Sequence, residues 1–168
     1  LGLGETITDS AGNIPAGTTV ASVQNVSIAT FGVLTSASTS VTVSNGTGLV
    51  SGMFVFATPS AAFPAGTTIS TVTPFSLATS GNITTASFVI TNLGSDAGVV
   101  AGMAVTCIAF PVGTVVVSVD SPTQVTVSQG ADGSLTGVQI IFTGAVLAMS
   151  QAATISASFV PMSFGSQT

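Results

Sequence analysis

A ten-residue phrase recurs three times along the chain, and no other feature restricts the fold as much. It reads Ile14-Pro15-Ala16-Gly17-Thr18-Thr19-Val20-Ala21-Ser22-Val23, then Phe63-Pro64-Ala65-Gly66-Thr67-Thr68-Ile69-Ser70-Thr71-Val72, then Phe110-Pro111-Val112-Gly113-Thr114-Val115-Val116-Val117-Ser118-Val119. The prolines stand 49 and 47 residues apart, and each phrase ends on a valine eight residues after its proline. Proline at the second turn position fixes φ where a type I turn needs it, and glycine two residues later accepts a left-handed conformation at little cost. Thr, Val and Ile then open an outgoing strand, where β-branched residues pack well. Each phrase therefore reads as a hairpin with a glycine bulge. Its structural turn residues are Pro15 and Gly17, Pro64 and Gly66, Pro111 and Gly113. No reactive side chain accompanies any copy.

Strands are legible on both sides of the phrases. An incoming strand opens with Gly-Met at 52–55 and again at 102–105, and Gly4-Glu5-Thr6-Ile7 is its weaker counterpart before the first phrase. A further pair of strands follows each phrase, at 26–30 and 40–45, at 75–79 and 87–92, and at 124–128 and 138–142. Val41 and Val43 alternate with Thr42 and Ser44, as Val125 and Val127 do with Thr126 and Ser128. That is the period of two expected of a strand with one buried face. Only 145–153 has enough Ala, Leu and Met for a turn of helix, and the alternation of Ile155, Ala157 and Phe159 just beyond it favours strand. The expected fold is all-β, with short antiparallel strands in β-sandwich or barrel-like modules built from degenerate repeats of about 48 residues. The polar stretch 92–98 suggests two modules. One would span 1–93 and hold the first two phrases; the other would span 94–168 and hold the third with a C-terminal extension. A single continuous sandwich is the alternative.

Charge narrows the function. The chain has five acidic side chains (Glu5, Asp9, Asp96, Asp120 and Asp132) and no Lys, Arg or His. Without a cation it has nothing to neutralise phosphates or anionic lipid headgroups, so neither nucleic acid nor a membrane surface is an expected partner. No apolar run is long enough for a membrane-spanning helix, and an outer-membrane barrel would normally carry Trp or Tyr girdles, which this chain lacks. Histidine and lysine bases are absent, so nucleophilic triads, Ser-Lys pairs and histidine-ligated zinc are excluded. The expectation is a protein that is not an enzyme, with no catalytic, cofactor-binding or metal residues. Calcium, held by Asp96 and the Asp132-Gly133 turn, is the one metal the residue types would allow. Cys107, the only cysteine, sits in an apolar run and reads as a small core residue. Asn25, Asn45 and Asn82 head N-glycosylation triplets, which matter only in a glycosylating pathway. The chain opens on Leu1 without a basic and apolar leader, so either a leader is removed or the numbering begins inside a longer product.

Lysines and inward charges are what normally protect sheet edges, and a chain without them is expected to be safe only where partners cover its edges. The motif Gly-Met-x-Val followed by apolar-Pro-x-Gly-Thr is carried by Gly52, Met53, Val55, Phe63, Pro64, Gly66 and Thr67, and again by Gly102, Met103, Val105, Phe110, Pro111, Gly113 and Thr114. It resembles the β-repeats of tailed-bacteriophage virion proteins, including capsid decoration (cement) proteins and tail-fibre segments. The resemblance implies a homo-oligomeric structural protein on the virion surface, in contact with the major capsid protein or other virion subunits and stabilising the shell through strand edges and apolar contacts. The alternative is a secreted, cell-surface subunit of an extracellular filament or surface layer joined by strand exchange, with Ile155, Ala157 and Phe159 on the assembly strand. A carbohydrate-binding module is the weaker third reading, since sugar platforms normally use Trp or Tyr.

Overall fold

The computed structural model describes residues 4–20 and 27–165, and these are all-β. Ten strands pair antiparallel throughout: β1 (Ile28–Leu34), β2 (Ser40–Val43), β3 (Phe54–Ala57), β4 (Ile69–Ile83), β5 (Val89–Thr91), β6 (Ala104–Thr106), β7 (Val116–Ser121), β8 (Gln124–Val127), β9 (Leu135–Met149) and β10 (Ala157–Gly165). The ladder runs β3-β10-β1-β2-β9-β4-β5-β8-β7, with β6 added beside β9. A 3₁₀ turn at Ser60–Ala62 is the only helical element among the described residues, and the stretch 145–149 is the end of β9.

Strands β4 and β9 are each 15 residues long, which exceeds anything the sequence outlines. The sequence suggests a break at Thr73-Pro74, between the outgoing strand of the second phrase and the alternating run that follows it. The strand passes straight through. Pro74 faces only β9, so its missing N–H deprives no second neighbour of a ladder bond. At about 3.3 Å per residue, each long strand spans roughly 50 Å.

These two strands carry two separate cores. One cluster gathers Ile83, Ile90, Leu93, Val99, Met103, Phe110, Val116, Val125, Val127, Ile140 and Phe142 with their neighbours. The other gathers Leu34, Val41, Val43, Phe63, Ile69, Leu147, Met149, Val160, Met162 and Phe164 with theirs. Leu93 and Val99, on either side of the 93/94 boundary, belong to the same cluster. Along β9 the buried residues are Ile140 and Phe142 for the first core, then Ala145, Leu147 and Met149 for the second. The inward set changes from even to odd numbers across Thr143-Gly144. Gly144 permits this crossing, because a Cβ there would lie 2.6 Å from the Val43 carbonyl oxygen and 2.7 Å from the Met103 methyl carbon.

The ladders around the two cores correspond residue for residue. Adding 49 carries Ile28, Gly32 and Leu34 onto Leu77, Gly81 and Ile83. Subtracting 22 carries their partners Phe164, Val160 and Ala157 onto Phe142, Val138 and Leu135, and both ladders slip at the same step. Likewise Val55↔Phe164 matches Val105↔Phe142, and Val41↔Leu147 matches Ile90↔Val125. The bulged pairing of Ile69, Thr71 and Val72 with Met149, Ala148 and Leu147 matches that of Val116, Ser118 and Val119 with Val127, Thr126 and Val125. The chain therefore holds two modules of one plan. The inner module, 75–143, is continuous and is set inside the outer one, whose strands run out through 27–74 and return through 144–165.

Each module nearly closes on itself. The named strands form an open sheet, but an isolated bridge Phe54↔Thr68 returns β4 to β3, and Ala104↔Val115 does the same for β7 and β6. Edges that the sequence leaves without charged protection are thus largely used up inside the chain. The accessible surface of 8813 Å² compares with about 7,500 Å² for a compact monomer of this mass.

Candidate functional site

All three phrases close with one set of backbone bonds. The Gly4 amide donates to Val20 O, Val20 to Glu5 O and Ile7 to Thr18 O. The same bonds run from Gly52 to Ile69, Ile69 to Met53 and Val55 to Thr67, and from Gly102 to Val116, Val116 to Met103 and Val105 to Thr114. Gly4-Glu5-Thr6-Ile7 therefore makes the same turn-closing bonds as the other two incoming strands, and sequence reasoning undervalued it because Glu5 replaces the Met. Gly17, Gly66 and Gly113 lie at φ of 85°, 81° and 89°, in the left-handed region that their turns require. Sequence reasoning read the threonine after each glycine as the opening of a strand and missed its side-chain bond. The hydroxyls of Thr18, Thr67 and Thr114 donate to the carbonyls of Pro15, Pro64 and Pro111 at 2.8, 2.6 and 2.7 Å. The signal for it was the recurrence of Thr at that one position.

The acidic groups are spread apart. Asp9 accepts the amides of Ala11 and Asn13, and these bonds hold its carboxyl below the usual carboxylate range. Asp120 is not in a turn but on the outer face of β7. There it accepts the hydroxyls of Ser118 and Thr126 at 2.6 and 2.7 Å, which likewise lowers its pKa. The Asp96 carbonyl accepts the Val99 amide, and the Asp132 amide donates to Ala109 O. No group of three or more His, Cys, Asp or Glu converges among the described residues. Cys107 is half-buried against the inner core. Asn45 and Asn82 use their side-chain oxygens to cap the Thr47 and Gly137 amides, while Asn25 lies outside the described residues. No described helix is long and apolar enough to cross a membrane.

Two adjoining clefts mark the junction of the modules. One, of about 600 Å³, is walled by Asn45, Val72, Gly102, Thr143 and Gly144 among others. The second, of about 450 Å³, is walled by Phe31, Ser44, Phe56, Pro161 and Met162 with their neighbours. No side chain in either wall titrates, so the clefts offer shape, hydroxyls and apolar surface but no acid or base.

The distinctive surface lies along the second cleft. Phe31 on β1 stacks on Phe159 of β10, with ring centroids 4.1 Å apart and planes 5° from parallel. Phe56 on β3 stands two strands away, and the three rings are 36%, 51% and 55% exposed in the order Phe31, Phe159, Phe56. The corresponding positions of the inner module are Ser80, Gly137 and Thr106. Phe159 has φ of 57° where its counterpart Gly137 has 63°. A bulky residue is held there in a conformation that costs on the order of 1–2 kcal/mol for a side chain with a Cβ. The remaining residues of the suggested assembly strand are placed differently. Ile155 packs against the outer core, and Ala157 pairs with Leu34. Strand β10 lies between β1 and β3, so offering it to a neighbour would first break both ladders.

Comparison of the chain with protein-family models, with curated proteins and with solved structures gives no match.

Proposed function

We propose that the chain is a non-enzymatic structural protein of a virion exterior, as the resemblance of its recurring motif to tailed-bacteriophage β-repeats implies, and that it makes its contacts through the face formed by Phe31, Phe56 and Phe159. The observation that carries this is an asymmetry between modules whose strand pairings match. Where the inner module bears Ser80, Thr106 and Gly137, the outer module exposes three phenylalanines, one of them in a strained backbone. Exposed apolar groups of that kind mark contact surfaces when they are contiguous. A surface without cations binds through shape and burial, so the contact should depend little on ionic strength. Filament assembly by strand exchange is the less favoured reading, because β10 is already paired on both edges.

The test is electron microscopy of the native source with antibody to this chain, coupled to a re-binding assay on particles stripped of it. Antibody label arrayed on shells or tails, with loss of re-binding by the triple variant Phe31→Ser, Phe56→Thr, Phe159→Gly, is the expected result. A helical fibre made of this chain alone would sink the proposal. Undiminished re-binding by the variant would remove the aromatic face from it.

A further inference from the structure

The turns that follow β2 and β5 share one set of hydrogen bonds but differ in chemistry. The Asn45 amide donates to Thr30 Oγ1 at 3.2 Å, and the Ser95 amide donates to Thr79 Oγ1 at 3.0 Å. Two residues on, the Thr47 amide donates to Asn45 Oδ1 at 2.9 Å where the Ala97 amide donates to Ser95 Oγ at 3.2 Å. The Leu49 amide then reaches Gly46 O, as the Val99 amide reaches Asp96 O. Both turns pass through a left-handed glycine, Gly48 at φ 79° and Gly98 at φ 80°. Serine therefore suffices to build this turn. The outer module builds it with Asn45-Gly46, the one Asn-Gly pair in the chain.

An asparagine side chain can be attacked by the nitrogen of the peptide that follows it, and the surroundings of Asn45 favour that attack. Gly46 has no side chain to shield its nitrogen, and packing keeps it a glycine, since a Cβ there would lie 2.5 Å from the Ala145 Cβ. The Gly46 amide donates to no group among the described residues. The bond from the Thr47 amide folds the Asn45 side chain back over the 45–46 peptide. It also places a donor on Oδ1, the oxygen where negative charge develops during attack. Asn45 is exposed to water. The other described asparagines lack this setting. Asn13 and Asn82 precede Ile and Asn92 precedes Leu; Asn82 lies inside β4, and the Leu93 amide is taken up by Thr123 O.

We propose that Asn45 is a site of self-modification that turns the neutral clefts at the module junction into anionic ones. Hydroxide takes the Gly46 amide proton, and the Gly46 nitrogen bonds to Asn45 Cγ. The Cγ–Nδ2 bond breaks, and the nitrogen leaves as ammonia with a proton from water. A second water opens the resulting succinimide at either carbonyl, which leaves an aspartyl residue or an isoaspartyl one whose main chain runs through Cγ. Asn45 stands in the wall of both clefts, where no other side chain titrates, and the chain has no cation to pair the new carboxylate. Phe31 and Phe56 share the second cleft with it, so a partner seated on those rings must bury an unpaired charge or leave. This effect on docking rests on the contact face proposed above; the chemistry at Asn45 does not.

The experiment keeps the full chain warm at mildly alkaline pH in heavy-oxygen water and follows peptic fragments by mass spectrometry, since there is no Lys or Arg for trypsin. The expected result is first-order loss of the Asn45 side-chain amide, with uptake of one heavy oxygen and isoaspartate among the products. The rate should rise with pH, be independent of protein concentration and exceed that at Asn13, Asn82 or Asn92 by at least about tenfold. Asn45→Ser, which copies Ser95, should fold as wild type and abolish the change. An Asn45 that stays intact, or that converts no faster than the other three, would overturn the site. In re-binding to stripped particles, Asn45→Asp should bind on the order of tenfold more weakly than wild type, and Asn45→Ser as wild type does. An Asn45→Asp variant that binds normally, or an Asn45→Ser variant equally weakened, would overturn the effect on docking. Undiminished binding by the triple phenylalanine variant would instead place the failure in the contact face.

Discussion

Replacing the turn threonines one at a time by valine separates burial from mere hydrogen bonding. Thr67 and Thr114 are 1% and 0% exposed, and their hydroxyls bond Pro64 O and Pro111 O at 2.6 and 2.7 Å. Valine keeps the shape but turns a methyl group towards a carbonyl. The net loss of one hydrogen bond is about 0.5–1.5 kcal/mol, and an abandoned buried acceptor would add about 1–3. Here the acceptor is not abandoned, because the Thr67 and Thr114 amides still reach the same carbonyls at 3.3 Å. The estimate therefore stays near 0.5–1.5 kcal/mol for each substitution. Thr18 makes the same bond to Pro15 O at 2.8 Å in a more open setting, where water can replace the hydroxyl, so Thr18→Val should fall within about 0.5 kcal/mol of wild type. For a chain of this size 1 kcal/mol moves Tm by about 2–4 °C. The expected fall is then about 1–6 °C for Thr67→Val or Thr114→Val, and close to nothing for Thr18→Val. Far-UV circular dichroism is the suitable probe, since the chain has neither Trp nor Tyr for fluorescence. The two buried hydroxyls share no partner, so the double variant should show the sum. A Thr18→Val variant that loses as much as Thr114→Val would refute the reasoning, for burial would then not be what sets the cost.

Three further outcomes follow from the same structure. Gly144→Ala should destabilise by about 1–3 kcal/mol, since the new Cβ meets a backbone oxygen that cannot turn aside; urea titration showing no loss would mean that the crossing between cores has slack. Phe142→Ala and Phe164→Ala, at equivalent and fully buried positions, should each cost about 3–5 kcal/mol, and amide exchange should show the inner core loosened first by Phe142→Ala and the outer core first by Phe164→Ala. Asp120 has a lowered folded-state pKa, so its contribution is present at neutral pH and is lost as the pH falls through that value, below the ordinary aspartate pKa of about 3.9; carboxyl NMR placing its midpoint at or above the ordinary value would contradict the bonds from Ser118 and Thr126.

Local chemistry made the strands and turns legible. Pro64, Gly66 and Thr67 act on their own backbone within four residues, and the alternation in Val41-Thr42-Val43 declares its buried face without reference to a partner. Strand length was not legible, because Pro74 and Gly144 look like interruptions until it is known that one strand has no second neighbour there and the other changes cores. The aromatic face was hidden for a related reason. Phe31, Phe56 and Phe159 are far apart in sequence, and each sits among residues that would suit a core. Only the register of β10 against β1 and β3 brings them to one outer surface. Phe159 did read as a strand residue, but nothing local announced a positive φ.

Three phrases spaced 47–49 residues apart suggest units laid end to end, and the ladders show why spacing alone misleads. Local signals repeat in chain order, whereas module membership is set by pairings between distant segments, such as Ile69 with Met149. In the inner module the strand pair β7–β8 is closed by a tight turn at Pro122-Thr123. The same strand pair in the outer module is left open beyond Pro74, and there the whole of 75–143 is inserted. Loop-closure entropy rises only logarithmically with the length enclosed, and an inserted segment that folds on its own core brings its ends together itself. A plan of this kind grows at the hairpin tip, each added module continuing two strands of the one before. It adds length without exposing a new sheet edge, and that suits a surface with no lysine to guard one.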